Sequence, residues 1–295
     1  MSIVVNTNIA SMNAQRSLMH SGKELQSAME RLSTGKKINS AADDAAGFAI
    51  AENMTAQVRG LSMSAKNAND ALGLLKVVEN ATNDVTDMLQ RIRELAVQAQ
   101  NDTNSAGDIA NLQLEAESLI DEINRVSADT TYNGVAYLAV DADNADAASR
   151  TVNIQVGYND GDVIALTTHA IDSTNLGIID ESADGSGSFK LHTDASSPGY
   201  LKIDSSDALA TITAAIEEVA GYKAEWGAGQ NRLEYTISNL MNVVEFTTAA
   251  RSRIQDADFA MEAARLAKAQ VLQQTGTAML AQANAAPQLA LQLLK

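Results

Sequence analysis

Apolar residues recur at alternating intervals of four and three positions over most of the chain, a spacing typical of helices that pack side by side. The first series consists of Leu18, Gly22, Leu25, Met29 and Leu32. A second series runs from Leu61 to Ala99 with one shift of register. Because no proline interrupts residues 45–100, one helix of about 80 Å is predicted there.

The same spacing predicts more helices further along the chain. One follows the polar turn at 101–108, and another occupies 212–254. The last forty residues predict a final helix, with Ala269, Leu272, Gly276 and Met279 in register, that Pro287 ends or kinks.

The middle of the chain has a different pattern. Residues 152–157 alternate like a strand, and Asn159-Asp160-Gly161 precedes a second apolar stretch, so a β-hairpin is predicted. Residues 180–205 are rich in Ser, Gly and Asp, which is typical of a surface loop, here with a short strand pair at 189–193 and 200–204.

Both terminal helices carry seams of small residues that one copy of the chain could hardly bury alone. The simplest arrangement pairs the N-terminal helix with the C-terminal one, and packs such pairs against other subunits. The predicted fold is therefore mainly α. It consists of long antiparallel helices in a coiled-coil-like bundle with a β-hairpin region, and its N- and C-terminal segments are paired.

Composition and charge support this picture. Aromatic residues make up only 4% of the chain although 45% is apolar, which favours narrow helix–helix seams over a core thickened by rings. The chain has a net charge of −16. Residues 1–44 carry a net charge of +1 and residues 256–295 a net charge of 0, so the segment between them carries −17. Either the acidic middle is simply a solvated surface, or the neutral ends are buried against copies of themselves.

Several functional classes are disfavoured. A net charge of −16 argues against nucleic acid as a partner. The absence of cysteine excludes disulfides and thiolate metal sites. No stretch approaches the roughly 20 apolar residues of a membrane span, so no membrane insertion is expected. The N-terminus lacks the pattern of a cleaved signal peptide, so export without one is expected.

No constellation of residues suggests catalysis, a cofactor or a metal. The histidines His20, His169 and His192 lie in separate segments without ligand spacing. The carboxylate pairs Asp43-Asp44 and Asp256/Asp258 follow polar turns at predicted helix starts, where an acidic residue is favourable. The chain is therefore not expected to be an enzyme.

Long motifs at both ends resemble those of the flagellins. At the front these are NTNIASMNAQRSL (6–18), ERLSTG (30–35), INSAADDAAGFAIAENMTAQVRGL (38–61), NANDAL (67–72) and MLQRIRELAVQAQN (88–101). At the back these are GAGQNRLEYTISNL (227–240) and the stretch from ARSRIQDADF through residue 294. About two thirds of the chain takes part. The resemblance implies an extracellular subunit of the bacterial flagellar filament, exported unfolded by the flagellar type III system and polymerised for motility.

The resemblance also implies a domain organisation. Residues 1–44 with 256–295 would form the inner coiled-coil domain, and 45–179 with 206–255 a helical domain that includes the hairpin. Only 180–205 would remain in place of outer domains. The polymerisation seam would then consist of Leu18, Leu25, Met29, Leu32, Leu266, Leu272 and Met279.

The partners implied by the resemblance are other copies of the chain, the filament cap, hook-junction proteins and an export chaperone at the C-terminal segment. The flagellin-sensing Toll-like receptor of hosts is a further one. The positions that match its recognition patch are Gln90, Arg91, Leu95 and Glu115. Arg91 and Leu95 would alternatively belong to a subunit interface.

Two other classes of protein remain open at this point. A hook–filament junction protein would share the terminal heptads but lack the long match around 88–101. A coiled-coil adhesin or a secretion-needle component would share only the helical spacing.

Overall fold

The computed structural model of the chain describes residues 7–139, 149–178 and 202–292, with side chains described as far as residue 285. The helices are α1 (Ile9–Thr34), α2 (Ala45–Ala99), α3 (Ala106–Asp129), α4 (Ala208–Gln255) and α5 (Phe259–Gln292). The strands are β1 (Thr131–Tyr132), β2 (Val135–Ala136), β3 (Ser149–Gln155) and β4 (Val163–His169). The predicted mainly helical fold with a β-hairpin region is confirmed.

The chain forms two compact units. Unit 1 comprises Met1–Arg59 and Val243–Lys295, and unit 2 comprises Gly60–Asn242. The predicted domain boundaries at 44/45 and 255/256 coincide with the start of α2 and the end of α4, whereas the units divide inside these two helices. The predicted division into domains thus stays a prediction.

The hydrophobic core lies in unit 2, between α2, α3, α4 and the β3–β4 hairpin. The series predicted for α2 is the buried one, and Val85, Leu89 and Ile92 are fully buried. Helix α3 runs antiparallel to α2, since Arg91 meets Glu115 while residues near 81 lie beside Val126. Helix α4 is also antiparallel to α2, because Lys223 Nζ donates to Asn83 Oδ1 at 2.6 Å and Gln230 Nε2 to Glu79 Oε2 at 2.7 Å.

The predicted hairpin is formed by β3 and β4, paired antiparallel from Ser149 opposite His169 to Gln155 opposite Val163. Gly161, at φ +87°, supplies the left-handed residue that the turn requires. Alternate residues of β4 face the core, and the Trp226 indole donates to the Thr167 carbonyl oxygen at 3.0 Å. This bond anchors the hairpin to α4.

The short strand pair predicted at 189–193 and 200–204 is not found in the part of it that the structure describes. The segment 189–193 and most of the insertion 180–205 lie outside the described residues. Of the second predicted strand, Lys202 to Asp204 are described, and they form a turn that leads into α4. The Ile203 amide donates to the Gln113 side chain at 3.0 Å, which fixes that turn on α3 and not in a strand ladder.

Candidate functional site

The distinctive feature of unit 1 is the antiparallel pair formed by α1 and α5, here called the helix pair. At the end of the pair where α1 begins and α5 ends, Asn8 is the N-cap of α1, and its Oδ1 accepts from the Ser11 amide at 3.0 Å. The Asn8 Nδ2 donates to the Ala283 carbonyl oxygen at 2.6 Å, and Ser11 Oγ donates to Asn284 Oδ1 at 2.8 Å. The start of α1 is thereby bonded to the end of α5.

This contact explains why α5 does not end at Pro287. The helix continues to Gln292, so of the two predicted alternatives, an end or a kink at Pro287, the end is wrong. A proline has no amide hydrogen, and the carbonyl oxygen four residues earlier loses its helical donor. That oxygen belongs to Ala283, and it accepts the Asn8 side chain instead. A partly buried acceptor is satisfied, which removes part of the penalty for proline inside the helix.

The seam between the two helices follows the predicted register only in part, since Ala269 is buried and Gly276 lies against Leu18. Small residues line it on the α5 side, and a Cβ added to Gly276 would come within 3.0 Å of Leu18 Cδ1. Leu266 and Leu280 are half-buried, but Leu272 and Met279 are 41% and 64% exposed. Apolar residues flank the small ones on both sides of α5, and α1 covers only one side.

The predicted seam residues therefore fall into two groups. Half-buried positions within the monomer are Leu18, Leu25, Leu32 and Leu266. Exposed positions are Met29, Leu272 and Met279. The second group is available to another molecule, and whether it forms a polymerisation seam stays a prediction.

A buried carboxylate lies near the loop end of the pair, where Arg31 belongs to the last turn of α1 and Glu262 to the first turn of α5. Glu262 of α5 is 4% exposed, and its Oε1 accepts from Arg31 Nη1 of α1 at 3.3 Å and from Arg265 Nη1 at 2.8 Å. Removing one partner of a buried ion pair leaves an uncompensated charge, so the triad specifies which turns of the two helices face each other.

At the end of the pair opposite Asn8, the loop that follows α1 is hydrogen-bonded to the loop that precedes α5. Lys37 N donates to the Gln255 carbonyl oxygen at 2.7 Å, and Ala257 N donates to the Gly35 carbonyl oxygen at 2.9 Å. Gly35 ends α1 in the left-handed conformation, at φ +70°. These bonds fix the loop between α1 and α2 against the loop between α4 and α5.

An open groove of about 670 Å³ runs along the helix pair. Its α1 side is lined by small and polar residues that include Ala14 and Ser17, and its α5 side by Leu272, Gly276 and Met279. A shallow groove of small residues flanked by exposed apolar side chains has the shape that receives another helix.

The predicted recognition residues lie in unit 2 on the faces of α2 and α3. The Arg91 guanidinium donates to Glu115 Oε1 from Nε at 2.9 Å and from Nη2 at 2.7 Å, and Nη1 donates to Glu94 Oε2 at 3.1 Å. These bonds to Glu115 and Glu94 raise the pKa of Arg91. Gln90, which precedes Arg91 in the sequence, is exposed, and the ion pair brings Arg91 and Glu115 to one surface.

Leu95 is a correction to this set. It is 1% exposed and belongs to the core cluster of unit 2, so it offers no surface for a partner to contact. It shares the string QRIREL with Gln90 and Arg91, but the buried face of a helix recurs every three or four residues. The predicted residues that remain available for direct contact with a partner are Gln90, Arg91 and Glu115.

The other polar residues singled out in the sequence have structural partners. Asp44 Oδ1 accepts from the Gly47 amide at the start of α2, and Asp258 Oδ1 from the Ala260 amide at the start of α5, which confirms the helix-start interpretation for these two residues. Two amides of the preceding turn, those of Ser40 and Asn39, lower the pKa of Asp43. Within the described residues, no cluster of His, Asp or Glu has the arrangement of a metal site.

The histidines do not meet. His20 lies 3.5 Å from Glu24 on α1. His169 lies 3.0 Å from Glu225 and stacks on the Tyr222 ring at 4.0 Å. His192 is outside the described residues.

Sequence reasoning missed Asn8, Ser11 and Glu262. One signal for Asn8 was present, because an asparagine directly before an apolar periodic series is a typical N-cap. Its second bond, to α5, joins residues 275 positions apart and has no local signature. None of the described helices has an apolar stretch long enough to cross a bilayer.

Two family profiles match the chain. The bacterial flagellin N-terminal helical region matches residues 5–142, and the bacterial flagellin C-terminal helical region matches residues 209–294.

Relatives match over nearly their whole length. The chain is 39% identical to flagellin of Halalkalibacterium halodurans, over 99% of this chain and 100% of that one. It is 39% identical to flagellin of Bacillus subtilis, over 99% of both chains. It is 36% identical to the flagellar filament 33 kDa core protein of Treponema phagedenis, over 99% and 100%. The crystal structure of Bacillus cereus flagellin is similar over 59% of this chain and 88% of that one, with 26% identity and a TM-score of 0.45.

Proposed function

Because the chain belongs to the bacterial flagellin family, we propose that it polymerises through the helix pair of unit 1. As a flagellin it is an extracellular structural subunit of a homopolymeric flagellar filament, and not an enzyme. The proposal concerns which surface makes the filament and which other partners this chain has.

The observation that carries the proposal is the apolar surface left exposed along the helix pair. The fully buried apolar side chains of unit 1, within its described residues, are Ala28, Ile38, Ala51 and Ala269. By contrast, Met19 is 70% exposed and Met279 is 64% exposed. Long helices with so little buried apolar area gain most of their stability from packing. A second copy placed in the groove at Leu272 and Met279 would supply that packing.

The near neutrality of the ends supports the same partner. A surface that is to be buried against itself avoids net charge, because like charges facing each other in an interface repel. Residues 1–44 and 256–295 sum to about zero, whereas the segments between them are strongly acidic. The proposed inner domain is built from these two segments, and 45–179 with 206–255 form the second domain.

The test is seeded elongation in concentrated salt, followed by electron microscopy. The full chain should elongate seeds, and a chain lacking residues 1–44 and 256–295 should not. A finer pair of variants keeps the fold intact: Met279→Glu places a charge in the groove, and Met241→Glu places it at an exposed site of unit 2. We expect the first to slow elongation at least about tenfold and the second to slow it far less.

Each other outcome has a definite meaning. If the truncated chain elongates as well, the helix pair is not the assembly surface. If neither chain elongates, a role at the hook–filament junction is favoured. Equal effects of Met279→Glu and Met241→Glu would remove the groove from the proposal.

We also propose that the free subunit is recognised by the flagellin-sensing Toll-like receptor through Gln90, Arg91 and Glu115. The support is the family resemblance together with the exposed, pre-ordered ion pair, in which Arg91 is held in one conformation by Glu115 and Glu94. A side chain that is already ordered loses less entropy on binding.

This second proposal has a matched control on α3. Arg125 is bonded to Glu122 and Asp129 in a similar exposed network, with Nη1 3.0 Å from Asp129 Oδ2. In receptor reporter cells, Arg91→Ala should raise the half-maximal dose at least about tenfold, while Arg125→Ala leaves it within about twofold. Equal responses of the two variants would contradict the assignment.

Export unfolded by the flagellar type III route, without a cleaved signal peptide, completes the proposal. The export chaperone would dock on 256–295, and the filament cap and hook-junction proteins would meet the ends of the polymer. These partners rest on the family resemblance. Deleting residues 256–295 should abolish chaperone binding in a pull-down assay, while deleting residues 1–44 should leave it.

A further inference from the structure

The sulfur atoms of the chain are distributed unevenly over its surface. The chain has no cysteine and ten methionines, so all of its sulfur is thioether. Of the methionines that the structure describes, seven are exposed by more than half, and five of these lie on the helix pair. The five are Met12, Met19, Met29, Met261 and Met279. In unit 2, Met63 and Met241 are exposed and Met88 packs against the core.

The five methionines lie on both helices of the pair. Met12 and Met19 are seven residues apart and share a face of α1, and Met261 and Met279 are separated by about five helical turns and share a face of α5. Met279 also lines the groove beside Leu272 and Gly276. The other four methionines do not line the groove, but all five thioethers are exposed on the helix pair through which the proposed function joins subunits.

We propose that these five methionines form a reversible oxidation site that controls addition of the free subunit to the filament. The inference rests on the proposed assembly through the helix pair. The reactant is a two-electron oxidant of the peroxide class. The thioether sulfur attacks one peroxide oxygen, an S–O bond forms and the O–O bond breaks. The sulfur is oxidised to a sulfoxide and the peroxide is reduced to water.

The physical consequence follows from polarity. A methionine side chain gains stability when apolar neighbours cover it, whereas a sulfoxide is polar and has to be desolvated on burial. Several sulfoxides on one interface oppose assembly together. Exposure favours attack, so the monomer is sensitive, and the same side chains are protected once a neighbouring subunit covers them. Sulfoxide reductases return the sulfur to the thioether and release water, while two thiols of the reductant are oxidised to a disulfide.

The first experiment measures where oxidation occurs. Full-length subunit and assembled filament are each treated with hydrogen peroxide, and tryptic peptides are quantified by mass spectrometry. In the monomer, the five sites should oxidise at least about tenfold faster than Met88. In the filament, their rates should fall at least about tenfold. Unchanged rates at the five sites in the filament would overturn the proposal.

The second experiment measures elongation of seeds. Peroxide-treated subunit should elongate at least about tenfold more slowly than untreated subunit, and treatment with both sulfoxide reductases and dithiothreitol should restore the rate. A chain with leucine at the five positions should keep its rate after peroxide. The matched control, Met63→Leu with Met241→Leu, should lose its rate as the parent does.

The outcomes separate the two proposals. If the untreated full-length chain does not elongate seeds, the proposal of assembly through the helix pair is wrong, and the proposal of control by oxidation is wrong with it. If untreated chain elongates and oxidised chain elongates equally well, only the oxidation site is wrong. Should the leucine variant elongate poorly before treatment, Met19→Leu with Met279→Leu replaces it. Full peroxide sensitivity of both leucine variants would place the control elsewhere.

Discussion

The two compact units reach stability by different means, although both consist mainly of long helices with four-three spacing. Unit 2 encloses large side chains, among them Trp226, Leu89, Ile92 and Ile120, all at most 2% exposed. In unit 1 the buried apolar residues of the described part are three alanines and one isoleucine. The same spacing thus produces a self-sufficient core where residues are large, and an open helix pair where they are small.

The difference also appears in the polar contacts. Unit 2 is joined by hydrogen bonds between helices that already share a core, such as Lys223 to Asn83. In the helix pair, little apolar area is buried and specific polar contacts lie at both ends: Asn8 bonds to Ala283 at one end and Arg31 to Glu262 at the other. Polar contacts fix the register of two helices, but their net contribution to stability is small, so such a pair depends on further packing.

The largest expected effect tests the core. Leu89→Ala in unit 2 should destabilise the chain by about 2–5 kcal/mol, because it leaves a cavity in a fully packed site. Leu272→Ala in the helix pair should change stability by less than about 0.5 kcal/mol, because Leu272 is 41% exposed. Urea unfolding followed by Trp226 fluorescence measures the first, and backbone circular dichroism measures both. Equal losses would abolish the distinction between the units.

Limited proteolysis is the next measurement. Cuts within 9–34 and 259–292 of the free subunit should appear at least about tenfold faster than cuts within 75–99, because regions with few buried contacts open at lower free energy. Assembly should protect the terminal segments. Equal resistance along the free chain would show that the polar contacts suffice to close the helix pair.

A smaller effect is expected at Asn8. Asn8→Ala removes the N-cap of α1 and the donor to Ala283 together, and should cost about 1 kcal/mol. Hydrogen exchange should quicken in the first turn of α1 and near residue 287 of α5. Gln15→Ala, an exposed position of the same helix, should leave both segments unchanged. Faster exchange in α1 alone would mean that the bond to Ala283 does not support α5.

The smallest effects concern two exposed carboxylates. The amides of Ser40 and Asn39 lower the pKa of Asp43 in unit 1, and the Ser105 hydroxyl and amide lower the pKa of Asp108 in unit 2. A lowered pKa in the folded state means that the stabilisation is present above the unfolded value of about 4, and is lost as pH falls through the folded value.

Asp43→Asn and Asp108→Asn should each lower stability slightly at pH 7. The difference from the parent should vanish as pH falls below about 4. Thermal unfolding at several pH values measures it. A difference that persists in acid would mean that shape, and not charge, is what these side chains contribute.

The core of unit 2 could be predicted from the sequence almost position by position. Val78, Val85 and Leu89 of the α2 series are buried as expected, because large apolar residues on one face of a helix leave one way to exclude water. The hairpin followed for a similar reason, since Asn159-Asp160-Gly161 combines turn-forming residues with a glycine at positive φ.

The seam of the helix pair could not be predicted to the same degree. Two faces of α5 place apolar residues beside the same series of small residues. One face carries Leu272 and Met279, and the other carries Leu266 and Leu280. Area alone barely distinguishes two such faces. The choice depended on contacts with α1, among them the Glu262 triad and Leu18 against Gly276.

The sequence by itself determined the helices, the hairpin, the lack of any catalytic constellation and the family, because these depend on local periodicity and on long motifs. Only the tertiary structure decided that Leu95 is buried, that α5 continues through Pro287, and that five methionines remain exposed on the helix pair. Each of these depends on which distant residue covers a given face. That is settled when helices pack, since a periodic pattern defines a face without naming its partner.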